Sequence, residues 1–169
     1  MPILALGLAL ARPEAGPDVL VEGKADNVAL RMADDSLGFA ISGRARFAAG
    51  KWLAAEGDEA ELGEAAARGA WACTAGYCEG RVKGLRVLFL RDEGLQDPPC
   101  QAGDLVIATF PLRKLCARAR LRIDRFDVWR EGAHALRIRA DGWINVSTAQ
   151  GERGDRPWVS RVLPRPAPQ

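Results

Sequence analysis

Two short segments of this chain are almost continuously apolar, and they constrain its fold more than any other feature. LRVLFL occupies residues 85–90, and DLVIAT occupies residues 104–109. A strand with one face in water alternates apolar and polar residues, whereas a strand covered on both faces can carry an unbroken apolar run. We therefore expect two strands that are buried on both faces inside a layered fold.

Alternating and turn-forming residues predict further strands around these two. DVLVE, NVALRM and LGFAI are expected strands near the start, with ADDS as the turn before the last of them. In the second half RLRID alternates, and AHALRIR and WINVST are joined by the hairpin signal ADG. The stretch IDRFDVWREGAHALRI, residues 123–138, is interpreted as strand–turn–strand.

One helix is clear, in RARFAAGKWLAAEGD. Phe47, Ala48, Trp52 and Leu53 can share one side of it, and Gly57 can end it. The following EAELGEAAARG is either a loose helix or a surface connection. Continuous apolar strands with such a helix predict an α/β sandwich, and 169 residues suffice for one domain with a buried core.

The net charge gives no general attraction to nucleic acid, but one basic cluster stands out. The formal net charge is only +2. Six basic residues, with Asp124 as the one acid among them, follow the second apolar segment: Arg113, Lys114, Arg118, Arg120, Arg122 and Arg125. On one face they could hold a phosphate backbone without reading its sequence. The alternative is a solvated strand edge that is protected by charge.

The four cysteines predict two disulfides if the compartment is oxidising. A Cys73–Cys78 bond would staple a hairpin, and a Cys100–Cys116 bond would close the loop around a strand. Each closure stabilises a fold by roughly 2–4 kcal/mol in the chain-entropy model. Free buried thiols and a structural zinc ion are the alternatives, although zinc prefers more closely spaced pairs.

The single histidine, His134, is a weak catalytic candidate. It could act as a general base with Asp127 or Glu131 as its orienting partner, but a half-buried strand histidine bonded to a neighbour is the simpler interpretation. Asp124 and Asp127 could pair as catalytic carboxylates, yet the interleaved arginines favour a salt-bridged surface. The chain has no P-loop, no G-x-S-x-G elbow and no H-x-H-x-D-H run.

The two ends differ from the middle of the chain. MPILALGLALA, residues 1–11, is about half of the roughly 20 apolar residues that cross a bilayer. We expect the end of a truncated transmembrane helix there, with a weak signal peptide or a buried first element as alternatives. Residues 17–160 form the expected globular domain. Proline-rich RVLPRPAPQ predicts a disordered tail over residues 161–169.

Taken in order, these motifs resemble a known family. The strand set PDVLV, VALR and DDSLGF precedes the helix RFAAGKWL and the cysteine pair in WACTAGYC, and GDLVIATFPLRKLC, IDRFDVWREGAHALRI and GDRPWV follow. This order resembles the C-terminal region of ComEC-type competence proteins, the channels that internalise DNA, in the form found in alphaproteobacteria. The resemblance covers about residues 17–159, and IDRFDVWREGAHAL and GDRPW carry most of it.

The resemblance implies a place at the membrane. A polytopic membrane domain precedes this region in the family, so residues 1–11 would end its last helix and the domain would lie on the periplasmic face of the inner membrane. Its partners would be the membrane channel portion of the same protein and, through the basic cluster, single-stranded DNA taken up in transformation. No cofactor is implied.

The resemblance also implies a fold, because the family's C-terminal region is related to metallo-β-lactamases. A reduced, strand-rich αββα sandwich of that type is therefore expected. The chain departs from the metal-binding members, which are proposed to degrade the non-transported strand: H-x-H-x-D-H is absent, and FPLRK follows DLVIAT where a His-His-Gly-Ser run would stand. A binuclear zinc site needs several histidines.

We therefore expect a non-catalytic domain without a metal. Two other functions stay open from the sequence. One is a degenerate metallo-β-lactamase-fold hydrolase or nuclease built on His134, Asp127 and Asp124. The other is a standalone secreted binding module that is stabilised by disulfides, with residues 1–11 as its signal.

Overall fold

The computed structural model describes residues 16–41, 46–154 and 156–157. The expected membrane helix at residues 1–11 and the expected tail at 161–169 lie outside these ranges. Within them the strands are β1 (Val19–Val21), β2 (Asn27–Arg31), β3 (Leu37–Ile41), β4 (Trp71–Cys73), β5 (Tyr77–Val82), β6 (Leu85–Leu90), β7 (Leu105–Ala108), β8 (Leu121–Ile123), β9 (His134–Ile138) and β10 (Ile144–Thr148). The helices are α1 (Arg46–Ala55), α2 (Leu62–Ala67), α3 (Arg125–Glu131) and α4 (Ala149–Arg153).

The strands form two five-stranded sheets. The first sheet is antiparallel throughout, in the order β10-β9-β1-β2-β3. The second has the order β4-β5-β6-β7-β8, with antiparallel pairs up to β6 and parallel pairs from β6 to β8. Because β2 packs against β5 and β3 against β4, the outer strands β10 and β8 lie on the same side of the sandwich.

The main core lies between the two sheets. Val21 and Leu136 of the first sheet face Phe89 and Ile107 of the second, and all four side chains are fully buried. The two apolar segments form β6 and β7, which adjoin each other in the sheet. Their alternate residues face outward into another buried cluster that includes Leu88. The prediction that both strands are buried on both faces is therefore confirmed.

Different structures cover the two outer faces. Helices α1 and α2 pack on the outer face of the first sheet, where Leu53 and Ala65 meet Phe39. The loop of residues 109–120 covers the outer face of the second sheet with Phe110 and Leu112. The fold is a mixed α/β, strand-rich sandwich of two sheets and, among the described residues, four helices.

The predicted helix is present as α1, with one difference in its buried side. Ala49 and Leu53 are its buried residues, and Trp52 stacks on Phe39 with 6.3 Å between ring centroids. Phe47 is 78% exposed, so its expected place on the buried side is wrong. It stands in the first turn of α1, where the ammonium of Lys51 lies over its ring, 5.4 Å from the centroid. Gly57 follows the helix with φ of +69°, as expected for a helix end.

The strand–turn–strand interpretation of residues 123–138 is wrong, because a helix joins the two strands. Asp124 follows β8 and caps α3, and its Oδ1 accepts the Phe126 N–H at 2.7 Å. Asp127 completes a capping box, since its Oδ2 accepts the Asp124 N–H at 2.9 Å. Gly132, with φ of +77°, ends the helix before β9 begins. These caps stabilise a helix that buries only Val128.

Both predicted disulfides are present, and all four cysteines take part in them. Cys73 and Cys78 stand directly opposite each other in β4 and β5. Cys100 precedes β7 and Cys116 follows it, so the second bond closes a loop around that strand. The thiol and zinc alternatives for these residues do not apply.

A partly buried ion pair links the α1–α2 connection to β3. The Arg68 guanidinium donates to both carboxylate oxygens of Asp58, at 2.6 and 3.0 Å, and to the carbonyl oxygen of Leu37 at 3.0 Å. The Ala60 N–H also donates to Asp58. The hydrogen bonds from Arg68, followed by that of Ala60, lower the pKa of Asp58 below its ordinary 3.8.

We expect Asp58→Asn to lower the free energy of unfolding at neutral pH by on the order of 1 kcal/mol. Because the pKa of Asp58 is depressed in the folded state, its stabilising effect is complete above pH 3.8 and is lost as pH falls through the folded-state pKa. Urea unfolding at a series of pH values should therefore give wild-type and variant curves that converge below pH 3.8. Asp141→Asn is the control, since the Asp141–Arg139 pair is exposed. A constant difference at all pH values would contradict the role of the charge.

Candidate nucleic-acid interface

A groove of about 560 Å³ runs along β8 at the open side of the second sheet. Its walls are the loop of residues 111–119, β8 itself and the start of α3. We define the β8 groove by the side chains that give it its chemistry: Arg113, Arg120, Arg122, Phe126 and Arg130. The groove contains four arginines against two aspartates, Asp124 and Asp127, so its surface has an excess of positive charge.

The alternation of β8 sends Arg122 outward into this groove. Ile123 is buried between the sheets and Leu121 packs at its margin, so the side chain between them points away from that core. Nη1 of Arg122 donates to the carbonyl oxygens of Arg113 and Leu115, at 3.1 and 3.2 Å. These bonds attach β8 to the loop and fix the guanidinium. The exposed guanidinium keeps its other N–H groups for a ligand.

Arg120 joins the groove to the first sheet. It precedes β8, and its Nη2 donates to the carbonyl oxygen of Gly142 at 2.5 Å. Gly142 belongs to the turn between β9 and β10. Among the described residues, no acid forms an ion pair with Arg113, Arg120 or Arg122. Their positive charge therefore remains available to a ligand.

Helix α3 adds an aromatic ring and a fourth arginine. Phe126 is 52% exposed although it is fully apolar, and it lines the groove from the first turn of the helix. Arg130 lies one turn further on, and its Nη2 donates to Oδ1 of Asp127 at 2.6 Å. This ion pair reduces the charge that Arg130 contributes, while its aliphatic part still forms the wall.

The two aspartates of the groove have structural roles. Asp124 accepts the backbone N–H groups of Phe126 and Leu112, so it fastens both α3 and the loop. Asp127 accepts the N–H of Asp124 and the guanidinium of Arg130. These contacts use both carboxylates. They are the contacts of helix caps, not those of an acid–base pair that faces a substrate.

His134 lies inside the first sheet and does not line the groove. Its side chain is 4% exposed, and Nδ1 is 2.9 Å from the carbonyl oxygen of Gly132. Nε2 is 3.8 Å from Oε2 of Glu131. In β9 it stands opposite Val21 and Thr148. The residue is more deeply buried than the sequence predicts, and its contact with Gly132 matches a strand histidine bonded to a neighbour.

The structure divides the six basic residues of the sequence cluster. Arg113, Arg120 and Arg122 meet in the groove, while Lys114 lines an adjacent depression. Arg118 is exposed outside both. Arg125 is exposed on α3. Burial is the main cause of the raised pKa of Asp26, and the positive charge of Arg125 acts against that rise.

Sequence reasoning missed Phe126 and Arg130. Both lie on α3, where the sequence pattern predicts a turn. A turn does not bring residues four apart to one face, whereas a helix does. The signal that could have found the helix is the Asp124–Asp127 pair, because an acid at the cap and another three residues later form a capping box.

Within residues 16–41, 46–154 and 156–157, no three His, Cys, Asp or Glu side chains are grouped closely enough to hold a metal ion. No helix among the same residues has the length and apolar character to cross a membrane.

Comparison with known proteins identifies no relative. The chain matches no protein-family model. The search of curated proteins and the search of solved structures also find no match.

Proposed function

We propose that this chain is a non-catalytic domain of a ComEC-like DNA-uptake protein, and that its β8 groove contacts incoming single-stranded DNA. One observation carries the proposal: three arginines and an exposed phenylalanine, Phe126, line the same groove. Among the described residues, no acid forms an ion pair with these three arginines. The arginines supply phosphate contacts, and the ring supplies a surface for a base.

The arginines suit a phosphate backbone. A guanidinium is planar, permanently charged and able to donate two parallel hydrogen bonds to one phosphate. Arg120 and Arg122 are held by backbone carbonyls, so their positions are set before a ligand arrives. Each phosphate contact releases a counterion, and binding should weaken steeply with salt. Nothing in this arrangement reads a base sequence.

Phe126 favours an unpaired strand. Aromatic side chains stack on exposed bases and contribute about 1–3 kcal/mol per base. The bases of a duplex are already stacked on each other and offer no free face. A ring that is 52% exposed beside three arginines therefore binds a single strand better than a duplex of equal charge.

The resemblance of the motifs supports the cellular location and the fold type of this proposal. Two disulfides suit an oxidising compartment, which supports a place on the periplasmic face of the inner membrane, attached to the channel portion of the same protein. The two facing sheets support a reduced metallo-β-lactamase-like sandwich. The helices α1 and α2 would be one outer layer, and the loop of residues 109–120 would replace the other.

We expect Arg120→Glu with Arg122→Glu to abolish binding of a fluorescein-labelled oligothymidine, measured by anisotropy at low salt. Charge reversal replaces two phosphate contacts by repulsion. Arg118→Glu, compared with Arg120→Glu alone, is the control with an equal change of charge, because Arg118 is also exposed but lies outside the groove. It changes the net charge without changing the site and should cost little affinity.

Phe126→Ala separates stacking from charge in the same assay. We expect about a tenfold loss for the single strand, from the lost stacking, and little change for a duplex. Absence of wild-type binding at low salt would overturn the proposal. Equal effects of Arg118→Glu and the groove variants would also overturn it, since only net charge would then matter.

A further inference from the structure

The outermost strand of the first sheet, β10, has one unpaired edge. It pairs with β9 on one side, and no described residue pairs with it on the other. The N–H of Arg139 donates to the carbonyl of Trp143, and the N–H of Ala149 donates to the carbonyl of Ala133. In an antiparallel pair, hydrogen-bonded positions alternate with positions whose N–H and C=O point away. Ile144 and Val146 therefore direct both groups outward, and Thr148 directs its N–H outward.

Within the described part of the chain, this edge carries none of the usual protection. Exposed edge strands are normally interrupted by charged residues, proline or a bulge, because a free row of donors and acceptors recruits another strand. The sequence INVST contains no charged residue and no proline. Its pairing with β9 is regular over all five residues, so no bulge bends it away. By contrast, the edge strand β8 has only three residues and carries Arg122.

The side chains at the edge are also exposed and apolar. Val146 is 38% exposed, and Trp143, just before β10, is 64% exposed. Both would be at least partly covered by a strand laid along this edge. Added strands are held by backbone hydrogen bonds, and alternate side chains determine which strand is accepted.

We propose that β10 pairs antiparallel with β10 of a second copy of this chain, around a two-fold axis at Val146. This register places Val146 against its own counterpart and Ile144 against Thr148. These are β-branched pairs, which stabilise neighbouring strands, and no like charges stand opposite each other. The two sheets join into one of ten strands across a self-complementary interface.

The register favours a second copy, because pairing about Val146 gives each β10 the same outward N–H and C=O groups and uncharged side chains that it offers. Antiparallel pairing brings the β9–β10 turn of one copy to α4 of the other. The turn carries Arg139 and Asp141, and α4 carries Glu152 and Arg153. Arg139 and Asp141 pair with each other at 3.4 Å, and Glu152 and Arg153 also balance in charge, so neither end brings a net like charge against the other copy. The inference depends on β10 alone and is independent of DNA binding by the β8 groove.

Sedimentation equilibrium of the whole chain tests the proposal. The wild type should reach twice the chain mass of 18.2 kDa as concentration rises. Val146→Lys places two lysines opposite each other at the axis and should restore the monomer. Asn145→Lys is the matched control, because it adds the same lysine to the same strand one residue away from the axis. It should remain a dimer.

Val146→Pro gives a second variant with an independent mechanism. It removes an N–H that points outward, so it should abolish the dimer while circular dichroism shows the fold retained. A wild type that stays monomeric up to about 1 mM overturns the proposal. A dimer that survives Val146→Lys as well as Asn145→Lys also overturns it, because the contact would then lie on another surface.

Discussion

Loss of the Cys100–Cys116 disulfide should weaken both the stability of the domain and its affinity for DNA. The bond closes a loop of sequence separation 16, and removing it should lower the free energy of unfolding by about 3 kcal/mol. The same loop carries Arg113, whose carbonyl holds Arg122 in the groove. Greater freedom of the loop should therefore disperse the arginines that contact phosphate. Replacing both cysteines by alanine, followed by urea unfolding and oligothymidine binding, measures the two effects.

The Cys73–Cys78 disulfide provides the control. Its removal should cost about 2 kcal/mol, because the closed loop is shorter, with a sequence separation of 5. It lies between β4 and β5, at the side of the second sheet opposite to β8. DNA binding by that variant, measured below its unfolding transition, should match the wild type. Equal losses of affinity in the two double variants would contradict the role of the loop in the groove.

Phe89→Ala should lower the free energy of unfolding by about 3–5 kcal/mol. The ring is fully buried at the centre of the sandwich, in β6, and contacts Trp71 edge to face with 6.4 Å between centroids. Two sheets cannot close around the space it leaves without moving strands on both sides. Because small domains are stable by only about 5–15 kcal/mol, the variant should unfold at much lower urea concentration or fail to fold.

The matched control is Phe126→Ala, which removes the same ring from an exposed position. Its effect on the free energy of unfolding should stay within about 0.5 kcal/mol. The pair of variants thus compares one chemical change in two environments by urea unfolding. A loss below about 1 kcal/mol for Phe89→Ala would contradict a well-packed core at this place.

Much of the sheet structure could be predicted from local patterns. The apolar runs of β6 and β7 identified strands covered on both faces, and ADG located the β9–β10 turn. The cysteine pairs were predictable because each pair flanks a turn or a strand. These features depend on residues near each other in sequence, where periodicity and turn chemistry are informative.

Helix α3 was not predictable in the same way. It has seven residues and buries only Val128, so an amphipathic period never develops. Its other large apolar residues, Phe126 and Trp129, are exposed. The helix exists because of its caps and its place between β8 and β9. Tertiary context here outweighs the apolar pattern, and the groove residues of α3 were lost with it.

The groove was predicted only in part, for a related reason. The basic cluster was evident, but which members meet depends on the path of residues 109–120. That path includes Arg113 and Cys116 with φ of +47° and +54°. Left-handed residues that are not glycine have no periodic signature. That Arg122 lines the groove and Arg118 does not therefore follows only from the structure.

The neighbours of β1 determine when this domain can finish folding. On one side β1 pairs with β2, its next strand in the chain, but on the other side it pairs with β9, with Val19 opposite Leu136. During synthesis the early hairpins can form as soon as they emerge, yet the gap beside β1 stays open until residues 134–138 are made. Contacts so distant in sequence slow folding, and until they form, the buried faces of Val19 and Val21 stay accessible to water. A chain whose synthesis ends before β9 would therefore have an incomplete first sheet.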